Sequence, residues 1–367
     1  MTTHQPSQVI KTFNVGLLSC MLILFASGLL TLFSATKGPA LGSLTQVQLL
    51  HFAIGLTLGL GILFIDSQIF ERFAYVFYFL CLVLLVIVVL KGSIGGGAQR
   101  WIRVGFFNLQ PSELAKLGIV MALARYFARE KHGGPYSLKR LLVPMALVAP
   151  LFILILLQPD LGTAGILFLV AATMVLFLRV EWQSLVIVGV LTAITLPLAY
   201  QYVLRDYQRE RVKTFIEPGR DPRDKGYNAL QCRIAVGSGR IFGKGYLKGT
   251  QAQLNFIPEQ QTDFIFSVFA EEIGFLGGLF LIATYAAYCI FALRIVARAR
   301  DKFQMLLAMG CTALLFWHAF INIGMVSGIL PIVGVTLPFF SYGGSSLITF
   351  VISTALLLNI GRKKYIF

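Results

Sequence analysis

The chain has 367 residues, of which 57% are hydrophobic and only 13% charged, and its mean hydropathy is +0.79. That balance excludes a soluble globular domain and indicates a polytopic membrane protein. Lys and Arg number 31 against 16 Asp and Glu, a net charge of +15, so the few charges are mostly positive.

In chain order, apolar runs near bilayer length centre on Val15 to Phe33, Val47 to Ile65, Ala74 to Leu90, Leu114 to Phe127 and Leu141 to Leu157. They continue with Leu161 to Leu178, Leu185 to Leu204, Phe264 to Ile295, Phe303 to Val326 and Ser341 to Ile360. The pattern predicts an all-α polytopic fold of about ten transmembrane helices. It forms a single membrane domain over 1–367, with a large loop over 205–262 between helices 7 and 8. The fourth run is short and holds Lys116 and Arg125, which leaves its depth in the membrane open. The first run is too long for a cleavable signal peptide and lacks an evident cleavage site.

Basic residues resist translocation, so the Lys and Arg of short loops set the orientation. One alternate set holds Arg129, Lys131, Lys139, Arg140, Arg179, Arg294, Arg298, Arg300, Lys302 and the tail Arg362 to Lys364. Those loops and both termini are expected in the cytoplasm. The opposite short loops are nearly uncharged, apart from Arg100 and Arg103, and the basic 205–262 loop lies on their side, because long loops translocate largely regardless of charge.

The polar constellations follow in order. In 97–116, GAQRWIRVGFFNLQPSELAK, Glu113 and Lys116 share a helix face at spacing i, i+3. A local ion pair and a functional pair are both open there. In QPDLGT, residues 158–163, Pro159 ends one helix, Asp160 caps the next and Gly162 permits tight packing, a structural reading. The 205–262 loop carries Arg205, Arg209, Arg211, Lys213, Arg220, Arg223, Lys225, Arg233, Arg240, Lys244 and Lys248. Those cations suit anionic lipid head groups or a phosphate-bearing ligand, since Arg forks match phosphate geometry and the loop's glycines allow close approach. In GTQAQLNFIPEQQTDFIFSVFAEE, residues 249–272, Asp263 stands where a polar loop enters a long apolar helix. An acid at that boundary is either a functional group or, with Thr262, a helix cap. Glu271 and Glu272 follow about two helical turns deeper and point to a polar cavity in the eighth helix.

Of the cysteines, Cys20, Cys81, Cys289 and Cys311 fall in apolar helices and Cys232 stands alone in the outer loop, so no disulfide framework arises. His4, His51, His132 and His318 lack metal-ligand spacing, and His318 reads as a packed bundle residue. Neither a Walker motif nor a Ser-His-Asp arrangement is present.

Four stretches together resemble the SEDS family (shape, elongation, division and sporulation). They are GAQRW with QPSELAK, QPDLGT, GSGRIFGKGYLKGTQAQLNFIPEQQTDFIFSVFAEE, and the run from Asn322 through INIGMVSGILPIVGVTLPFFSYGGSS to Ser346. The GTQAQLNFIPE wording and short tails are most similar to the elongation members, the RodA group, rather than to the division members. The resemblance implies a peptidoglycan glycosyltransferase of the bacterial inner membrane that polymerises lipid II at the periplasmic side. It implies that Asp263 is the catalytic acid, acting as base in an inverting transfer that expels undecaprenyl diphosphate. Arg100, Lys116, Arg209 and Arg211 are the expected diphosphate-site cations, with Glu113 positioning Lys116 or helping to hold a cation. A divalent cation, magnesium or manganese, is expected to share the leaving-group charge, with its ligands unassigned. The expected partner is a cognate class B penicillin-binding protein, contacting the outer loop from Met325 to Phe340 and the eighth and ninth helices. Nucleic acid is not expected. A lipid II flippase using the same cations is the alternative, and a non-catalytic scaffold for other wall enzymes is the third.

Overall fold

The computed structural model describes residues 14–36, 42–95, 98–104, 107–131, 134–198, 201–202, 209, 225–254, 256 and 259–362. Each of the ten apolar runs forms a helix. These are α1 (Val15–Ala35), α2 (Gly42–Phe64), α3 (Ser67–Lys91), α4 (Pro111–Arg129), α5 (Leu142–Leu157), α6 (Leu161–Phe177) and α7 (Trp182–Leu198). Two helices of the outer segment follow, α8 (Lys225–Ser238) and α9 (Thr250–Gln253), and then α10 (Ile265–Ala297), α11 (Lys302–Val326) and α12 (Gly344–Gly361). Seven stretches, comprising α1, α2, α3, α5 with the turn before it, α10, α11 and α12, are long and apolar enough to cross a membrane; α6 and α7 are shorter apolar helices.

The sequence reading contained no strands, yet 93–109 forms a small antiparallel meander. Strand β1 (Ser93–Gly95) pairs with β2 (Ala98–Val104), which pairs with β3 (Phe107–Leu109), in register Ile94 with Gln99 and Arg103 with Asn108. The meander leads into α4, where Pro111 takes the first helical position, at which a missing N–H costs nothing.

Helix α4 lies at the centre, packed against α3, α11, α6 and α5. Fourteen of its nineteen residues are buried, Glu113 and Lys116 among them, so those two charges face protein rather than lipid. Helix α2 pairs with α12, and α10 packs between α1 and α11. Helices α3 and α7 turn Phe73, Val76, Phe79, Leu191 and Ile194 outward, the surface that meets acyl chains in a bilayer.

Helix α10 is broken. Gly274 sits at φ +79°, ψ −166°, a region open essentially to glycine alone. A break in a membrane helix frees amides and carbonyls that must find protein partners. The segment after α8 supplies them: Lys244 and Gly245 N–H donate to the Glu271 and Glu272 carbonyls at 3.0 and 2.9 Å. In return, Phe275 and Leu276 N–H donate to the Arg240 and Ile241 carbonyls at 2.8 and 3.2 Å. The outer loop is thus stitched into the side of α10.

Candidate active site

Asp263 lies half-buried in the turn that opens α10. The N-cap position belongs to Phe264, which has no side-chain cap bond, while Thr262 Oγ donates back to the Glu259 carbonyl at 3.2 Å. The turn is gripped by the segment that follows α11. Asn322 Nδ2 donates to the Asp263 carbonyl at 2.9 Å and to the Val335 carbonyl at 2.6 Å. Ser341 Oγ donates to the Thr262 carbonyl at 2.6 Å, and Tyr342 N–H to the Gln261 carbonyl at 2.9 Å. The carboxylate itself rests against Gly334, where an added Cβ would stand 3.1 Å from Asp263 Oδ2 and φ is +72°. A side chain there would be strained and would press on the acid.

A second polar group lies inside the bundle. Lys116 Nζ donates to Glu113 Oε1 at 2.7 Å, from a position with no solvent exposure. The same Nζ lies 2.6 Å from His318 Nε2 on α11. An ammonium only donates, so Nε2 accepts and the ring proton sits on Nδ1, which donates to the Thr336 carbonyl at 3.2 Å. Thr336 Oγ in turn lies 2.7 Å from Ser346 Oγ at the start of α12. Residues 334–336 therefore join the two groups, with Gly334 against Asp263 and Thr336 against the Lys116 network.

A profile of the FtsW/RodA/SpoVE cell cycle proteins matches residues 10–366. The chain belongs to that family. Among FtsW/RodA/SpoVE relatives, the peptidoglycan glycosyltransferase MrdB of Escherichia coli K12 is 40% identical over 349 residues, covering 95% of this chain and 93% of its own. Stage V sporulation protein E of Bacillus subtilis is 32% identical over 374 residues, 99% of each chain. Among solved structures, a chain of a peptidoglycan synthase complex, described as coordinating polymerization and crosslinking, superposes with a TM-score of 0.83 at 31% identity, covering 96% of this chain and 98% of that one. Thermus thermophilus RodA superposes at 0.72 and 27% identity over the same shares. The FtsW/RodA/SpoVE likeness spans the bundle and includes the 93–109 meander, the α10 turn and the segment after α11.

On this FtsW/RodA/SpoVE scaffold the expected site residues fall into different settings. Glu113 and Lys116 come together as an ion pair. Arg100, on β2, is turned to the QPD corner: its Nε and Nη2 donate to the Gln158 and Pro159 carbonyls at 3.1 and 2.5 Å, and Nη1 lies 3.9 Å from Asp160 Oδ2. It caps the end of α5 in this conformation. Asp160 caps α6 through the Thr163 N–H at 3.3 Å, and Gly162 packs under Val333, as the turn chemistry predicts. Arg209 donates to the Gln201 carbonyl at 2.7 Å, and Arg211 lies outside the described residues.

Three other expectations change. Glu271 and Glu272 do not open onto a cavity; Glu271 Oε1 accepts from Lys244 Nζ at 2.6 Å, Thr250 Oγ at 3.0 Å and the Gln251 N–H at 3.1 Å, while Ser34 Oγ donates to Glu272. Both acids fasten the outer loop. Cys232, which as a lone cysteine of a polar loop would be exposed, is instead buried beside Ser267, and burial pushes its thiol up to about 12. Of the expected partner surface, Val335, Leu337, Phe339 and Phe340 are buried within the chain, leaving Ser327 and Ile329 exposed. A cavity of about 670 Å³ beside the docked loop is lined by Ser238 to Lys244, with neither Asp263 nor Lys116 in its wall. Sequence reasoning missed Asn322, Ser341 and His318 as holders of the site. The only signal for Asn322 and Ser341 was their place in the NIGMVSG–SYGGSS stretch, and His318 had none, since each acts across the bundle rather than along its own helix.

Proposed function

We propose that this chain polymerises lipid II into glycan strands for cell elongation at the periplasmic face of the bacterial inner membrane, with Asp263 as general base. The observation that carries the reading is the clamped turn: three separate bonds from 322, 341 and 342 hold residues 261–263 while the acid stays half-buried beside Gly334. A base held this way loses little freedom on reaching its reactive position. The curated name of the E. coli relative, peptidoglycan glycosyltransferase MrdB, supports the reaction class.

In the transfer, the Asp263 carboxylate takes the proton of the acceptor's GlcNAc 4-hydroxyl as that oxygen bonds to the donor's MurNAc anomeric carbon. The bond from that carbon to the diphosphate oxygen breaks on the opposite face, so α-linked donor becomes β-linked product with no sugar–enzyme intermediate. Undecaprenyl diphosphate leaves with the electron pair, and fixed cations stabilise its charge. Lys116 supplies one such charge from within the bundle. Arg209 and Arg211 are proposed on the outer loop, whereas Arg100 acts by holding the QPD corner.

Among the described residues no three His, Cys, Asp or Glu side chains gather as a metal cage. Glu113, whose Oε2 has no partner among the described residues, and the half-buried Asp263 each offer one carboxylate, which fits only the sparse type of magnesium site, in which a carboxylate shares the ion with substrate phosphates. Such an ion, bound, would neutralise the leaving diphosphate. The synthase complex among the structural neighbours supports a transpeptidase partner, a class B penicillin-binding protein. The basic loops described above support cytoplasmic termini and an outward-facing site.

The test is polymerisation of fluorescent lipid II by wild type and Asp263→Ala, each co-purified with the transpeptidase, together with lipid II transfer across vesicles. Strands from wild type alone support the reading. Equal activity of both removes Asp263 from catalysis, and transfer without polymer by both establishes the flippase instead.

A further inference from the structure

We infer that His318 and Asn322 form a positioning pair on α11 that sets Asp263 and Lys116 in register through residues 334–336, an inference that rests on the polymerase reading. The two residues stand at i, i+4 and so share one face of the helix. Both are buried, at 2% and 0% exposure. Each makes two bonds, and in each case one bond goes to that segment and the other to a proposed catalytic residue. Asn322 joins the Val335 carbonyl (2.6 Å) to the Asp263 carbonyl (2.9 Å). His318 joins the Thr336 carbonyl (3.2 Å) to Lys116 Nζ (2.6 Å).

The arrangement ties base and cation to consecutive peptide units of one segment, so neither moves without straining the other. A packed bundle histidine could satisfy its nitrogens on any nearby groups; here one partner is Lys116 and the other the Thr336 carbonyl, two residues from Gly334 against Asp263. Here the neutral ring, with its proton on Nδ1, is the form that accepts from an ammonium and donates to a carbonyl at once. Its edge-to-face contact with Phe350, 4.9 Å between ring centres, fixes the ring plane. Glu113 Oε1 completes the hold on Lys116, while Glu113 Oε2 and Asn322 Oδ1 have no partner among the described residues.

Glutamine and asparagine separate this role from simple packing. A glutamine amide reaches the place of the ring Nε2 and keeps the acceptor for Lys116; an asparagine amide reaches only the place of Nδ1 and keeps the bond to Thr336 alone. Full-length His318→Gln, His318→Asn and His318→Phe, co-purified with the transpeptidase, are assayed with lipid II for kcat and KM. Misplacing a catalytic group by about 1 Å costs up to about a hundredfold. His318→Gln is therefore expected to keep kcat within about threefold, and His318→Asn and His318→Phe to lose about tenfold or more, with KM within about twofold in all. The proposal is overturned if all three polymerise at the wild-type rate, if Gln falls as far as Asn, or if the loss lies in KM. Should His318→Phe fail to fold, the contrast between Gln and Asn decides alone. Asp263→Ala in the same assay keeps the two questions apart. An active Asp263→Ala overturns the polymerase reading itself, whereas a dead Asp263→Ala beside a wild-type-like His318→Asn overturns only the positioning pair.

Discussion

Lys116–Glu113 and Lys244–Glu271 are both short ion pairs, at 2.7 and 2.6 Å, with a buried carboxylate in each, yet they hold different things together. The first lies within one helix and reaches out through His318 to the segment beside Asp263. The second joins the outer loop to α10, and its remaining bonds, from Thr250 and Gln251, stay within that joint. A buried Lys–Glu pair alone is therefore no sign of a site; where its spare bonds lead is what separates chemistry from fastening. Exposure differs as well: the Lys116 side chain has none, while that of Lys244 keeps 27%, so water replaces its partner more readily.

Removing each cation gives the largest contrast. Lys116→Met leaves the Glu113 carboxylate buried without a cation, expected to cost about 3 kcal/mol or more and to abolish polymerisation. Adding Glu113→Gln should restore melting temperature but not activity. Lys244→Met is expected to cost about 1–2 kcal/mol and to retain measurable polymerisation. Melting curves and lipid II assays on the three proteins check this, and equal behaviour of the two lysine variants would erase the distinction.

The loop joint is tested next. Gly274→Ala places a side chain at φ +79° and within 2.6 Å of the Ile241 carbonyl, an expected cost of about 1–3 kcal/mol. Cys232 reports the outcome. Buried and with its thiol pushed up to about 12, it is almost wholly protonated at pH 8, so the folded protein should resist maleimide. Gly274→Ala should label faster as the joint loosens, and Lys116→Met, remote from the joint, should not. The smallest effect belongs to Arg129–Glu71, an exposed pair at 3.2 Å. Arg129→Ala should change stability by less than about 1 kcal/mol and leave polymerisation at the wild-type rate.

The contrast also marks what the chain discloses as a sequence. Ten apolar runs became ten helices because bilayer-length periodic runs are strong signals. The depth of α4 was open because the run is short and Lys116 and Arg125 lower its hydropathy, and the Lys116 part of that penalty vanishes once the side chain faces protein. The 93–109 meander was invisible since two of its strands have three residues each, too few to show alternation. Asp263 was legible as an acid at a helix mouth, and Glu113 with Lys116 as a pair at i, i+3. Their holders were not, because the partners of Asn322, Ser341 and His318 are backbone carbonyls and a lysine brought close only by packing. For the same reason Glu271 and Glu272 looked like cavity residues until the outer loop was seen fastened to them.

The central claim is that Asp263 acts by its charge and not by its shape, and Asp263→Asn tests it most directly. Binding and single-turnover polymerisation of fluorescent lipid II are measured on the variant co-purified with its transpeptidase. The account predicts lipid II affinity within about threefold of wild type and a rate lower by about a hundredfold or more, within the range of a lost general base. Polymerisation at the wild-type rate by Asp263→Asn would contradict it, and would move the base elsewhere in the bundle.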